Sequence, residues 1–282
     1  DIEHSSQFLS ALLISSCLSP EDMTIHIQGE HGMAYIQITT RMMEQFGVHA
    51  APQYYCMGNG ENHDCCGCVN STRPMGYLVA ARQHYQALDY QIEPDVSAAC
   101  YFYAMGALLN VPMQVLGVNR ESMQGDVAFL DTLVQMGCTL QEDTDGLLLL
   151  PPAKGHLAGV KADMSACSDQ AITLAAIAPY ADAPTTITGI GHIRFQECDR
   201  LNAIVTELRR MGIRCESTQD SITIHPGTPN PCIVQTYEDH RMAMGFTLTG
   251  LRTAGIVIDN PGCCRKTFED YYEVLEACLG QL

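Results

Sequence analysis

A repeat of about 70 residues constrains this chain more than any other feature. Four segments follow one pattern, in which a short polar cluster leads into an apolar, small-residue run of helix length. They start at Ser5-Ser6-Gln7, Ser97-Ala98, Ser168-Asp169-Gln170 and Glu238-Asp239-His240-Arg241, which are 92, 71 and 70 residues apart. Small polar groups at the head of such a run suit an N-cap, and the run itself predicts a helix buried on nearly all sides. Each is followed by a second, more polar helical run that ends in a hydrophobic residue plus glycine: Arg41 to Phe46-Gly47, Phe129 to Met136-Gly137, Leu201 to Met211-Gly212 and Tyr271 to Leu279-Gly280. Glycine there suits the left-handed position just past a helix end. β-type stretches, among them Met23 to Ile27, Thr185 to Ile187, Ser221 to Ile224 and Gly255 to Ile258, fall between or after the helices.

A period of this size means a repeated supersecondary unit. The spacing predicts three complete βα-type units over residues 93–282 and one further unit in residues 1–92 whose companions are absent. Three apolar helices can cover one another inside a sheet-walled domain, whereas the first has no such neighbours. The first interval is long because of Ala50 to Leu88, which carries Pro52, Asn59-Gly60, Pro74 and four Cys. Residues 49–90 read as an inserted loop or hairpin.

Charge narrows the function classes. The 282 residues carry 15 Lys plus Arg against 32 Asp plus Glu, a formal net charge of −17. So acidic a surface is a poor binder of nucleic acid or anionic membranes. No apolar stretch approaches the length needed to span a bilayer, since Phe8 to Leu18 is broken by Ser10, Ser15 and Ser16, which predicts a soluble chain. The start, Asp1-Ile2-Glu3-His4, has neither Met nor a basic segment before an apolar run, and resembles an internal starting point rather than a signal peptide. Fourteen Cys in a chain this large read as reduced cytosolic thiols, with Cys17, Cys100, Cys138, Cys167 and Cys278 behaving as small hydrophobes. These features together predict a cytoplasmic protein with small-molecule partners, no nucleic acid and no membrane. Any anionic ligand must be gripped by a small set of cations.

The polar clusters at helix starts are the places for such a grip, because a helix N-terminus presents free N–H groups and partial positive charge. Ser5-Ser6-Gln7 is either an N-cap or an anion cradle. His192-Ile193-Arg194-Phe195-Gln196-Glu197-Cys198-Asp199-Arg200 is either a salt-bridged helix start or a site lined by two Arg, a Glu and an Asp. Arg241, at the head of an apolar run, is costly unless paired or facing a ligand, and its planar fork suits a carboxylate or phosphate. Asp169 is a cap or a catalytic carboxylate, and Lys266 a solvated cation or a ligand group. The loop His63-Asp64-Cys65-Cys66-Gly67-Cys68, with Cys56 nearby, offers zinc donors, but not at the usual two-by-two spacing.

Seven motifs occur in one order: Ser5-Ser6-Gln7-Phe8-Leu9-Ser10-Ala11-Leu12-Leu13, Ser122-Met123-Gln124-Gly125-Asp126, Asp169 with Thr173-Leu174-Ala175, Glu197-Cys198-Asp199-Arg200, Thr206-Glu207-Leu208-Arg209, Asp239-His240-Arg241-Met242-Ala243-Met244 and Lys266-Thr267-Phe268. Together they resemble the 3-phosphoshikimate 1-carboxyvinyltransferase (EPSP synthase) family, over nearly the whole chain apart from residues 49–90. The resemblance implies an α/β fold of two lobes, each an inside-out α/β barrel of three βαβαββ units, with the active site in the cleft between them. Residues 93–282 correspond to the C-terminal lobe and residues 1–92 to the last unit of the other lobe, the rest of which is the partner this chain lacks.

The family moves the enolpyruvyl group of phosphoenolpyruvate to the 5-hydroxyl of shikimate 3-phosphate through a tetrahedral intermediate, without metal or organic cofactor. By resemblance, Ser5, Ser6, Gln7, Tyr35, Asp169, His192 and Gln196 hold shikimate 3-phosphate, and Gln7, Arg200, His240, Arg241 and Lys266 hold phosphoenolpyruvate. Asp169 serves as base at the 5-hydroxyl, and Glu197 exchanges the proton at the methylene carbon. The chain departs from the family at Gln196, where Lys is usual, at Gly32 for Ser, His192 for Asn and Glu269 for Pro. Those departures and the absent lobe predict that the 282 residues alone are not a competent transferase. The alternatives are a UDP-N-acetylglucosamine 1-carboxyvinyltransferase-type enzyme and a non-catalytic module, degenerate or metal-binding.

Overall fold

The apolar run after Ser5-Ser6 forms α1 (Gln7–Ser16), followed by β1 (Met23–His26), α2 (Met33–Gln45), β2 (Ala50–Gln53) and β3 (Gly76–Val79). These come from a computed structural model that describes residues 1–2, 5–29, 32–54 and 74–281, and in which the chain divides into two units, Asp1–Gln91 and Ile92–Leu282. In the first unit β3 is the central strand of an antiparallel sheet, with Tyr77 opposite both Ile25 and Pro52. Pro52 lies on edge strand β2, where a missing N–H costs no ladder bond. Leu9, Leu13, Ile36, Met43, Tyr77 and Val79 form the core.

Two expectations need correction here. The segment 49–90 supplies two of the three strands of this sheet, so its ends belong to the unit's own fold rather than to an insertion. The donors Cys56, His63, Cys65, Cys66 and Cys68 lie outside the described residues. Helix α1 is also not buried all round, since Phe8 is 71% exposed, Leu12 52% and Ile14 51%. Among the described residues, α2 packs against it and the Tyr85 hydroxyl donates to Ile14 O at 2.9 Å.

The second unit carries three repeats of one plan, but among the described residues only the middle one is a whole βαβαββ unit. The expectation of three complete units over residues 93–282 is thereby corrected: the first repeat lacks a leading strand and the last lacks the closing strand pair. The first repeat holds α3 (Val96–Leu109), β4 (Met113–Leu116), α4 (Phe129–Gln135), β5 (Thr139–Asp143) and β6 (Gly146–Leu150). The next holds β7 (Lys161–Asp163), α5 (Ala171–Ile177), β8 (Thr185–Thr188), α6 (Arg200–Arg210), β9 (Cys215–Ser217) and β10 (Ile222–Ile224). The last holds β11 (Cys232–Val234), α7 (His240–Arg252), β12 (Ile256–Ile258) and α8 (Tyr271–Leu279). The sheets run β4-β6-β5, β7-β8-β10-β9 and β11-β12, the pairs β7–β8 and β11–β12 being parallel. A crossover through a buried helix joins the strands of each parallel pair.

Helices α3, α5 and α7 touch one another and are buried, α5 at every residue, so the helices fill the centre and the sheets wall it. Small side chains allow this close approach. A Cβ built on Gly245 of α7 would stand 2.7 Å from Cγ2 of Ile172 on α5. Gly245→Ala gains about 1 kcal/mol of helix propensity but must push a β-branched, fully packed neighbour, at about 1–3 kcal/mol. The expected net loss is about 1 kcal/mol, read by urea denaturation; a stabilised variant would contradict this packing.

The glycines after α2, α4 and α6 adopt the left-handed conformation, φ being +85° at Gly47, +105° at Gly137 and +77° at Gly212. Each is followed by an amide that reaches back to close the helix: Val48 N–H to Met43 O at 2.8 Å, Cys138 N–H to Leu133 O at 3.1 Å and Ile213 N–H to Leu208 O at 2.9 Å. The fourth glycine departs from the pattern. Gly280 has φ −67° and its N–H bonds Glu276 O at 2.9 Å, continuing the helical geometry of α8 rather than reversing the chain.

Candidate active site

The polar heads of the three central helices meet. Ser97 Oγ, at the start of α3, donates to Asp126 Oδ2, and Gln170 Nε2, just before α5, donates to Ser97 O at 3.4 Å. Asp169 sits in the helical turn Ser168–Gln170 that leads into α5. Its carboxylate instead joins two guanidinium groups: Oδ1 lies 3.0 Å from Nη1 of Arg200 at the head of α6, and Oδ2 lies 2.8 Å from Nη2 of Arg241 at the head of α7. Asp169 is thus an ion-pair bridge between α6 and α7.

Arg200 is itself 3% exposed, and holds Asp239 through Nε to Oδ2 at 2.7 Å and Nη2 to Oδ1 at 3.3 Å. Burial alone would lower its pKa, but Asp239 and Asp169 outweigh that and raise it. The same pairing works in reverse on fully buried Asp239, where Arg200 overcomes desolvation and holds the carboxyl below its usual range. Asp239 also caps α7, Oδ1 accepting from Arg241 N at 2.8 Å. The sequence places Asp239 in the polar head of a capped helix but assigns it no part in the site, where the structure pairs it with Arg200.

The helix-start motif 192–200 divides between its two alternatives. Arg194 is structural: it forks onto both oxygens of Asp199 at 3.1 Å and reaches the carbonyls of Thr218 and Gln219. His192 and Gln196 reach the cluster, His192 Nε2 lying 2.8 Å from Ser168 Oγ and the Gln196 amide oxygen accepting from Arg200 Nη1. An amide there accepts a bond from Arg200, whereas a Lys would add a like charge beside it. Glu197 pairs with Lys266, which follows β12 at the end of a helical turn over Pro261–Lys266, both being at least a third exposed. Every positive group assigned to the anionic ligand is thus matched by a carboxylate: Arg200 and Arg241 by Asp169 and Asp239, Lys266 by Glu197. An incoming anion competes with those carboxylates for the cations.

His240 is 4% exposed and its Nδ1 has no hydrogen-bond partner among the described residues. Burial, and then Arg241, push its pKa down to about 4. A folded-state value below the unfolded 6.5 means that the unfolded chain binds the extra proton, so the stability from neutral His240 is whole above pH 6.5 and is lost as pH falls towards 4. The expected loss is on the order of 3 kcal/mol across that window, and His240→Gln flattens it. Urea midpoints at pH 7, 5.5 and 4.5 read this directly; a variant with the parent's slope contradicts it.

In the first unit, Ser5 Oγ accepts from Gln7 N at 3.2 Å, while Ser6, at the N-cap of α1, makes no side-chain cap bond. Gly32, before α2, has φ +73°, and a Cβ there would stand 2.6 Å from Ser6 Oγ. Glycine at this departure keeps the Ser6 hydroxyl in place. Tyr35 is a half-buried residue of the first turn of α2. Among the described residues no three His, Cys, Asp or Glu gather closely enough for a metal ion, and no helix is long and apolar enough to cross a membrane.

The family described as EPSP synthase (3-phosphoshikimate 1-carboxyvinyltransferase) matches residues 67–275. This chain belongs to the EPSP synthase family. The match runs into residues 67–90, which the sequence resemblance left out. Relatives named 3-phosphoshikimate 1-carboxyvinyltransferase include those of Trichormus variabilis, 40% identical over 277 residues (98% of this chain, 60% of the relative), and Nostoc sp., 41% identical over 268 residues (95% and 58%). The chain spans about 60% of the length of these relatives. Among solved structures, EPSP synthase from Acinetobacter baumannii superposes with a TM-score of 0.75 at 21% identity, covering 97% of this chain and 60% of that one. The enolpyruvyl transferase NikO from Streptomyces tendae gives 0.64 at 20%, covering 94% and 57%. The fold is that of EPSP synthase and the enolpyruvyl transferases, the inside-out α/β arrangement that the resemblance implied.

Proposed function

We propose that this chain supplies the phosphoenolpyruvate-binding lobe, and the last unit of the shikimate 3-phosphate-binding lobe, of a cytoplasmic 3-phosphoshikimate 1-carboxyvinyltransferase. The observation that carries the proposal is the Asp169 carboxylate held between Arg200 and Arg241 at the heads of buried helices. A doubly anionic ligand finds two guanidiniums and Lys266 there, in surroundings where few other cations compete for it. Arg200, Arg241 and Lys266, with His240 and Gln7, hold phosphoenolpyruvate. Ser5, Ser6, Gln7 and Tyr35, with His192, Gln196 and Asp169, hold shikimate 3-phosphate.

When the anion draws the arginines away, Asp169 is free to take the proton of the 5-hydroxyl as its oxygen bonds to C2 of phosphoenolpyruvate. Glu197 delivers a proton to the methylene carbon, giving a methyl group on the tetrahedral intermediate. The same carboxylate then takes back a methyl proton as the C2–O bond to phosphate breaks, and the departing phosphate accepts the proton that Asp169 took from the hydroxyl. No step requires a metal or an organic cofactor. The exposed Phe8, Leu12 and Ile14 of α1 support the view that the working enzyme includes further residues of the first lobe.

A chimera tests this reading. The part of the Trichormus variabilis relative that has no counterpart here is joined ahead of Asp1, and phosphate release from phosphoenolpyruvate is followed with shikimate 3-phosphate or UDP-N-acetylglucosamine as acceptor. Turnover is expected with the chimera and shikimate 3-phosphate, and none with the 282 residues alone. Full-rate release by the chain alone, or preference for the UDP-sugar, would overturn the reading.

A further inference from the structure

Tyr237 and Glu238, just ahead of Asp239-His240-Arg241, are consecutive non-glycine residues in the left-handed region, with φ of +54° and +57°. Side chains bearing a Cβ disfavour that backbone, which persists only where surrounding groups over-determine it. The main determinant is Glu207, fully buried on α6. Its Oε1 accepts from the Tyr237 hydroxyl at 2.7 Å and its Oε2 from the backbone N–H of Gln235 at 3.2 Å, while Arg210 Nε, 3.1 Å from Oε2, supplies the countercharge. On the other side Thr236 N donates to Asp259 Oδ1 at 2.9 Å, and Asn260 Nδ2 donates to the Glu238 carboxylate at 3.1 and 3.2 Å.

Helix geometry explains why one carboxylate can do this. Glu207 follows Arg200 by seven residues, two helical turns, so both project from the same face of α6. Arg200 grips Asp239 and Glu207 grips Tyr237, two residues earlier in the same loop. We propose that Glu207 is a positioning residue of the site: it holds the Tyr237–Glu238 turn in its left-handed form and thereby sets His240 and Arg241 relative to Asp169. The effect on phosphoenolpyruvate rests on the function proposed above, whereas the effect on the turn does not.

The test uses Glu207→Gln and Tyr237→Phe in the 282-residue chain, with Thr249→Val as a comparison that loses a buried bond from α7 to Ala176 O and leaves the loop alone. Backbone dihedrals of residues 237 and 238 are measured by NMR and phosphoenolpyruvate affinity by titration calorimetry. Both loop variants are expected to leave the left-handed region and to bind phosphoenolpyruvate about tenfold more weakly. Thr249→Val is expected to lower the thermal midpoint with affinity within twofold of the parent. Unchanged dihedrals in both loop variants, or an affinity loss in Thr249→Val equal to theirs, overturns the proposal. If the parent chain binds no phosphoenolpyruvate, the functional reading is at fault, and the dihedrals alone decide the role of Glu207.

Discussion

Asp239→Ala is expected to lower the unfolding free energy by about 3–5 kcal/mol. Asp239 is fully buried and Arg200 is 3% exposed, so the substitution strands a guanidinium where water cannot solvate it. Asp169 and Gln196 remain on Nη1 of Arg200, but nothing replaces the partner of Nε. Loss of the cap on α7 adds about 1 kcal/mol. Replacing both partners with apolar residues of similar volume, Asp239→Leu with Arg200→Met, removes the stranded charge and is expected to recover more than half of the loss. Because Arg200 holds the folded-state pKa of Asp239 below its unfolded value, the parent keeps this contribution above about pH 4 and loses it as pH falls further. Urea denaturation at pH 7 and pH 3.5 gives both numbers. A loss under 1 kcal/mol in the single variant would mean that the pair does not anchor α6 to α7.

Asp169→Asn is expected to move binding and turnover in opposite directions. In the parent, Asp169 occupies Arg241 at 2.8 Å and Arg200 at 3.0 Å, so an incoming anion must break both pairs. The amide is neutral and a weaker acceptor from guanidinium, which leaves Arg241 freer for the ligand. Phosphoenolpyruvate affinity of the 282-residue chain should rise about three- to tenfold. In the chimera the same change removes the base, and turnover should fall about 10²- to 10⁴-fold. A purely structural Asp169 would instead give weaker binding and a proportionate drop in stability. Calorimetric titration of the chain and phosphate release by the chimera separate the two cases.

The helices were legible because their signals are local. Apolar runs of small residues and glycines at 47, 137 and 212 each act within a few residues of themselves. Of the expected polar heads, by contrast, only Asp239 caps its helix: Asp95 caps α3, and α5 has no side-chain cap at its N-cap residue. Gly280 failed the pattern because a left-handed glycine is needed only where the chain turns back. Within residues 49–90, β2 and β3 form the antiparallel pair that the hairpin reading allows, but nothing local shows that β3 also pairs with β1 and so belongs to the unit's own sheet rather than to an insertion. The exposed face of α1 was equally hidden, since apolar composition predicts that a helix seeks cover and does not say whether cover is present. At the site, the sequence motifs carried Asp169, Arg200, Arg241 and Lys266, yet could not show that each cation already holds a carboxylate. Glu207 was quoted as part of a motif without a role, because its partner Tyr237 lies 30 residues on and only α6 and the strained loop bring them together.

By itself the sequence determined the repeat and the set of charged residues, because hydrophobic period and residue spacing are written along one dimension, and its ordered motifs carried the resemblance that implied the family and its fold. Only the tertiary structure decided which charge faces which. Arg200, Asp169, Asp239 and Arg241 come from three helices, and the energy of an ion pair depends on distance and burial, neither of which the order of residues contains.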